Sequence, residues 1–253
     1  AYDDLGNVVT FIDGGDLDVT SDDVTAAISY TGTAHGRHGA CADKHLVGLA
    51  DSITVSAGGT VARRRTADFN CTTGDLKAVH QYLADNRAAT TDLDYDGYGN
   101  LKRLLGPANE AGQRLELAYA YDPETETYPR TITNVSYGLT SSATYDYRFG
   151  KPLTTTDVNG NVIAYSYDSV GRTKSVLGPL EAGKLDYTIA FEYAPYLDVR
   201  ETAAGQESWA RTKHADRDAT APGQYRYKDP IETVLFTDGL KRILQTKKDV
   251  EVN

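Results

Sequence analysis

The chain repeats itself, and a repeat constrains the fold more than any single motif, because each unit then takes its shape from its neighbours. Tyr95-Asp96-Gly97-Tyr98-Gly99-Asn100 leads to Leu105-Gly106-Pro107, and Tyr167-Asp168-Ser169-Val170-Gly171-Arg172 leads to Leu177-Gly178-Pro179, each matched position 72 residues apart. The phase slips by one at Glu110-Ala111-Gly112 against Glu181-Ala182-Gly183 and then returns, so that Leu115, Leu117, Tyr119, Tyr121 and Pro123 match Tyr187, Ile189, Phe191, Tyr193 and Pro195. Shorter echoes stand at Tyr2-Asp3-Asp4-Leu5-Gly6-Asn7 and at Gly239-Leu240-Lys241-Arg242-Ile243-Leu244. Gly150, Gly160 and Gly171 follow one another at ten and eleven residues, the spacing of strand plus turn.

Between these glycines the chain alternates. Leu115, Leu117, Tyr119 and Tyr121 fall on one side of an extended segment and Arg114, Glu116, Ala118 and Ala120 on the other, and Val24, Ala26, Ile28 and Tyr30 repeat the pattern. Asp13-Gly14, Asn159-Gly160 and Asp238-Gly239 punctuate the segments with residues that tight hairpin turns favour. The pattern predicts an all-β chain of consecutive hairpins over residues 1–253, with strand far in excess of helix. Leu76, Val79, Tyr82 and Leu83 fit a helix as well as Leu76, Ala78, His80 and Tyr82 fit a strand; the surrounding hairpins favour strand. Residues 200–229, rich in charge and poor in alternation, read as a long loop or insertion.

The pulse has a mechanical reading. Gly6, Gly99 and Gly171 permit a turn conformation closed to side chains with a Cβ. Asp3, Asp96 and Asp168 are placed to accept from backbone N–H groups two residues on. Tyr2, Tyr95 and Tyr167 offer a broad apolar body to neighbouring strands and keep a hydroxyl for a partner or water. The competing reading makes the tyrosines platforms for sugar rings.

The Tyr-Asp-x-x-Gly-Asn/Arg pulse resembles the YD repeat of Rhs proteins, which include the B and C components of bacterial toxin complexes and, more remotely, animal teneurins. The resemblance is densest from about residue 92 to 195, with Tyr145-Asp146-Tyr147-Arg148-Phe149-Gly150 as a drifted copy. It implies a β-sheet strip that spirals into a hollow shell, which in bacterial members encloses a toxic C-terminal segment and in teneurins belongs to an adhesion receptor. The Asp-Pro-x-Gly core motif that ends bacterial shells is absent, and no variable toxin segment follows, so the self-cleavage of that family is not carried onto any residue of this chain.

Composition bounds the alternatives. The longest run of apolar residues is five, Leu117 to Tyr121, against the roughly 18 that a membrane helix needs. A net charge of -10 sets the surface against phosphate backbones and anionic lipid. There is no Met, so the chain reads as a piece of a longer polypeptide; no run like a secretory leader stands at the start, which a mature fragment would have lost in any case.

Candidate chemistry is sparse. His35, His38, Cys41 and His45, with Cys71, supply zinc-ligand types, but their spacing matches no zinc signature and Arg37 and Lys44 add positive charge; an exposed polar loop is the competing reading. Cys41 and Cys71 also suit one disulfide in an exported protein. Asp92-Leu93-Asp94-Tyr95-Asp96-Gly97 matches the first half of a calcium loop, but Arg103 stands where the closing Glu belongs. No nucleophile elbow, phosphate loop, HExxH zinc motif or dinucleotide fingerprint occurs. Arg63-Arg64-Arg65 would split between the two sides of a strand and reads as a solvated, paired set of charges.

The expectation is therefore a non-enzymatic structural segment of a secreted or cell-envelope YD-repeat shell, without metal or cofactor. Its expected partners are the rest of the parent shell or neighbouring copies, together with an enclosed toxin segment, and neither nucleic acid nor a membrane span is among them. The rival is an extracellular adhesion or carbohydrate-binding module using exposed tyrosines and Trp209. An enzyme sited in residues 200–229 is the third reading.

Overall fold

The computed structural model describes all residues except 17, 20–21, 32–40, 195–207, 216–229, 239–241 and 250–253. The chain divides into two units, Ala1–Thr140 and Ser141–Asn253. Strands β1 (Thr10–Asp13), β2 (Val24–Tyr30), β3 (Ala50–Ala57), β4 (Thr60–Phe69), β5 (Leu76–Tyr82), β6 (Ala88–Tyr95), β7 (Leu101–Ala108), β8 (Arg114–Tyr121) and β9 (Pro129–Asn134) make up the first. The second is built from β10 (Leu139–Asp146), β11 (Lys151–Thr156), β12 (Val162–Tyr167), β13 (Thr173–Leu177), β14 (Ile189–Ala194), β15 (Ser208–His214), β16 (Ile231–Thr237) and β17 (Ile243–Lys248). The only helical element among the described residues is a 3-10 turn at Ala42–Lys44. The fold is all-β.

Within each unit every strand pairs antiparallel with the next in sequence, β1 with β2 through β8 with β9, and β10 with β11 through β16 with β17. Such a meander places alternate turns at alternate edges. The segment Leu76–Tyr82, balanced between helix and strand in sequence, is β5. Inside the stretch 200–229, which the sequence reads as a loop or insertion, Ser208–His214 form β15, paired on both sides by β14 and β16. Apart from Ala215, the rest of that stretch lies outside the described residues.

Register sorts side chains onto two unlike faces. In the first unit Leu93, Leu104 and Leu117 stand opposite one another across β6, β7 and β8, and Tyr119 faces Ile132. On the other side Arg103 bridges Asp94 at 3.2 Å and Glu116 at 2.7 Å, Arg114 meets Asp92 at 2.7 Å and His80 meets Asp68 at 3.1 Å. The second unit repeats the division. Tyr165, Val176 and Ile189 are in register on one face. Ser166 pairs with Ser175 at 2.6 Å, and Arg211 joins Glu192 to Glu232, on the other.

Burial is shallow on both. Among the described residues only Cys41 and Ala78 are buried apolar residues, while Leu115 and Ile132 remain 43% and 36% exposed on the apolar face. A sheet with one apolar face normally covers it with a second layer. The described strands of each unit supply a single layer.

Candidate functional site

The repeated feature is a five-residue turn closed by one carboxylate. In Asp96–Asn100 the Asp96 Oδ1 accepts the amides of Tyr98 and Asn100, both at 2.9 Å, while Oδ2 accepts the Asn100 side-chain amide at 3.1 Å. The backbone closes around it: Asp96 N donates to Asn100 O and Gly99 N to Asp96 O. Gly99 takes φ +86°, a left-handed conformation that costs glycine nothing. Asp3–Asn7 and Asp168–Arg172 reproduce the same bonds, with Gly6 at +83° and Gly171 at +82°, the Arg172 Nε replacing the asparagine amide at 2.6 Å. Asp157–Asn161 is a further copy that lacks the preceding tyrosine, and Asn109–Gln113 is one built on an amide.

These bonds set the charge state of the turns. Burial opposes the Asp96 carboxylate, but the donors of Asn100, Tyr98 and Gly99 outweigh it and hold the carboxyl below its ordinary value. Asp168 behaves alike, burial being overcome by Arg172. Asp122 is 2% exposed; burial again works against its charge, yet the amides of Thr125, Tyr128 and Thr127 and the Thr125 hydroxyl hold its carboxyl far below the carboxylate range.

The strands entering the turns at Asp96 and Asp168 meet them through a bulge. Tyr95 opposes Leu101 while Asp94 opposes Arg103, leaving Lys102 as the extra residue, and Tyr167 opposes Thr173 while Ser166 opposes Ser175, leaving Lys174. The same shift precedes Tyr30, Tyr121 and Tyr145. Bulges re-aim side chains. Here the Tyr167 hydroxyl donates to Pro152 O at 2.7 Å, Tyr121 to Leu101 O at 3.0 Å and Tyr30 to Val8 O at 3.0 Å, and Tyr193, paired with β15 without a register shift, donates to Thr173 O at 2.9 Å. Every acceptor lies two residues beyond the glycine of the previous turn on that edge: Gly150, Gly99, Gly171 and Gly6.

The residue after that glycine reaches in the opposite sense. Asn100 Nδ2 donates to Glu126 O at 2.6 Å, Asn7 Nδ2 to Val47 O at 3.1 Å and Lys151 Nζ to Gly171 O at 2.5 Å, and the Arg172 guanidinium lies 4.5 Å from the centre of the Tyr193 ring. Neighbouring turns on one edge of each unit are thus linked in both directions. Cys41, in the β2–β3 connection, and Cys71, in the β4–β5 turn, are joined as a disulfide on the same edge, with Cα atoms 4.4 Å apart.

The predicted residues therefore fall into one structural system. Tyr95 ends β6, its hydroxyl pKa raised by burial and by the charge of Asp75, and Tyr2 forms an isolated bridge with Val8 while staying 72% exposed. Sequence reasoning missed Tyr30, Tyr121 and Tyr193 as clamps; the available signal was a tyrosine at a strand end before a turn. The half calcium loop does not form, because Asp92 and Asp94 lie in β6 and pair with Arg114 and Arg103 while Asp96 closes its turn. Of the zinc-type residues, Cys41 and Cys71 are consumed in the disulfide, His45 follows the 3-10 turn at φ 59°, and His35 and His38 lie outside the described residues.

No family model matches the chain, and no curated protein sequence does. Among solved structures its fold is similar to chains of Tc toxin complexes. TcdB2-TccC3-Cdc42 aligns at a TM-score of 0.60 and 12% identity, over 88% of this chain and 17% of that one. TcdB2-TccC3 without its hypervariable C-terminal region aligns at 0.60 and 12%, over 89% and 17%, and TcdB2-TccC3-TEV at 0.59 and 13%, over 89% and 18%. The chain spans less than a fifth of the length of these structures.

Proposed function

We propose that the chain is a non-enzymatic wall segment of a secreted, toxin-complex-like shell, which contains or scaffolds a larger polypeptide. The observation that carries this reading is the pairing of a single-layer sheet in each unit with turns linked along one edge. Such a sheet is stiffened from its rim, and its apolar face is left for something beyond its own strands to cover. The repeat resembles that of Rhs proteins, and the fold likeness to TcdB2-TccC3 agrees with it. A disulfide fits an oxidising, extracellular setting. The partners in this reading are more sheet of the same kind, from the parent polypeptide or neighbouring copies, and an enclosed toxin segment.

An adhesion or carbohydrate-binding module is the second reading, favoured by Tyr98 and Tyr137, each 73% exposed. One experiment separates the two. The isolated 253-residue chain, followed by sedimentation over a concentration series, is expected to associate through its uncovered face. A monomer whose cooperative unfolding is unchanged by dilution overturns the shell reading and favours the binding module.

A further inference from the structure

Strand β4 splits the triplet Arg63-Arg64-Arg65, and the three side chains meet different fates. Arg64 turns to the charged face, where its guanidinium lies 3.7 Å from the centre of the Tyr82 ring and donates to Asn86 Oδ1. Arg63 and Arg65 stand exposed on the apolar face, opposite Val55 and Ile53 of β3, and Gln81 of β5 flanks Arg65 on the other side. Apart from Arg130, they are the only described arginines without an ion pair or hydrogen bond: Arg87, Arg103, Arg114, Arg148, Arg172, Arg211 and Arg242 all hold carboxylates. In a chain of net charge -10, two unpaired guanidiniums side by side, next to aliphatic residues such as Ile53 at 38% exposure, are out of keeping with the rest of the surface.

We propose that Arg63 and Arg65, with Ile53 and Val55 beside them, form a docking surface for an extended acidic peptide segment carrying carboxylates at alternate residues. The two arginines are separated by two strand residues, about 7 Å, which is also the spacing of alternate side chains in any extended peptide. Each guanidinium offers a fork of donors that fits a carboxylate, and pairing removes the repulsion between two like charges on one face. β4 is already paired on both edges, so the segment lies across the face and is held by side chains rather than added as a strand. The acidic excess of the whole chain works against long polyanions, whereas a short peptide meets the two arginines inside the screening distance of about 10 Å. This inference stands independently of the shell reading.

The test is fluorescence anisotropy of a labelled peptide of alternating Glu and Val with the full chain, beside the Gln-for-Glu peptide, phosphatidylserine vesicles and an oligothymidine. Saturable binding of the Glu peptide is expected, weakening with salt and lost about tenfold or more in R63E/R65E, as expected for removing two charge-assisted pairs. R63Q/R65Q should weaken it in the same direction, and Arg64→Gln should leave it unchanged. Circular dichroism of each variant checks that the sheet is kept. Equal affinity of wild type and both double variants, or no saturable binding, overturns the proposal. So does tighter binding to the vesicles or the oligonucleotide, or self-association that R63E/R65E alone abolishes, which would make the occupant a second copy.

Discussion

The Tyr167 hydroxyl donates to the carbonyl of Pro152 at 2.7 Å, tying the end of β12 to the start of β11, two residues past the glycine of the previous turn on that edge. Tyr121 and Leu101, Tyr193 and Thr173, and Tyr30 and Val8 repeat the relationship in the same sense. Removing the hydroxyl leaves a part-buried carbonyl without that donor while keeping the ring. Tyr167→Phe and Tyr121→Phe should each cost about 0.5 to 1.5 kcal/mol, read as a lower urea midpoint at unchanged slope. Tyr98→Phe, on a turn and 73% exposed, should cost nothing measurable. If all three variants unfold alike, the clamp is not a source of stability.

The Cys41–Cys71 disulfide joins residues 30 apart in sequence, on an edge where other neighbouring turns are linked by hydrogen bonds such as that from Asn100 Nδ2 to Glu126 O. Loop entropy alone predicts a loss of about 3 to 4 kcal/mol in C41A/C71A. Thiol titration of the unreduced protein should find no free thiol, and a reductant should lower the urea midpoint of the wild type but not of the double variant. Two titratable thiols under oxidising conditions would end this account.

The legible part of the fold was whatever is local. Period-2 alternation and the Asp-x-x-Gly turns both depend on neighbours within five residues, and the fold is the meander of hairpins they predict. Partners across strands were out of reach. The Tyr121 hydroxyl acts on a carbonyl 20 residues away, from beside a register shift that no residue type announces. The sequence of β15 reads as loop because Arg211 and Lys213 are charged, yet on the sheet they stand between Glu192 and Glu232, which neutralise them from both neighbouring strands. The sequence divides the arginine triplet between two sides, as β4 does, but the expected pairing with other charges is not met: Arg64 rests on the neutral Tyr82 and Asn86, and Arg63 and Arg65 stand opposite Val55 and Ile53.

The turn carboxylates give stability a defined pH dependence. Asp3, Asp96, Asp157 and Asp168 all have carboxyls held below the ordinary value of 3.8: Asp3 and Asp157 chiefly by the side chains of Asn7 and Asn161, Asp96 and Asp168 by hydrogen bonds that overcome burial. A group whose pKa falls on folding contributes stability that is complete above its unfolded value and is lost as pH drops through the folded one. The urea midpoint should therefore be flat from about pH 7 to 5 and fall steadily below about pH 4. Asp168→Asn should lower the neutral-pH midpoint and shallow the acid fall. An acid limb as steep in this variant as in the wild type would show that other groups drive it.

Gly99 and Gly171 share a backbone conformation but not an environment, and the difference isolates what a repeat turn does to its neighbour. Both lie near φ +85°, where an L residue pays about 1 to 2 kcal/mol. A Cβ on Gly99 meets nothing within 4 Å, whereas one on Gly171 falls 2.7 Å from Cδ1 of Phe149, a ring in the previous turn on the same edge, itself edge-on to Tyr167 at 6.4 Å. Gly99→Ala should therefore show the backbone cost alone. Gly171→Ala should add an overpacking cost of about 1 to 3 kcal/mol as Phe149 is forced off the turn. In a Phe149→Ala background the ring is gone, and Gly171→Ala should fall back to the cost of Gly99→Ala. Urea titration of the four variants closes the cycle, and a Gly171→Ala penalty that persists without the ring would mean that the turn, not its packing on the neighbouring turn, sets the requirement for glycine.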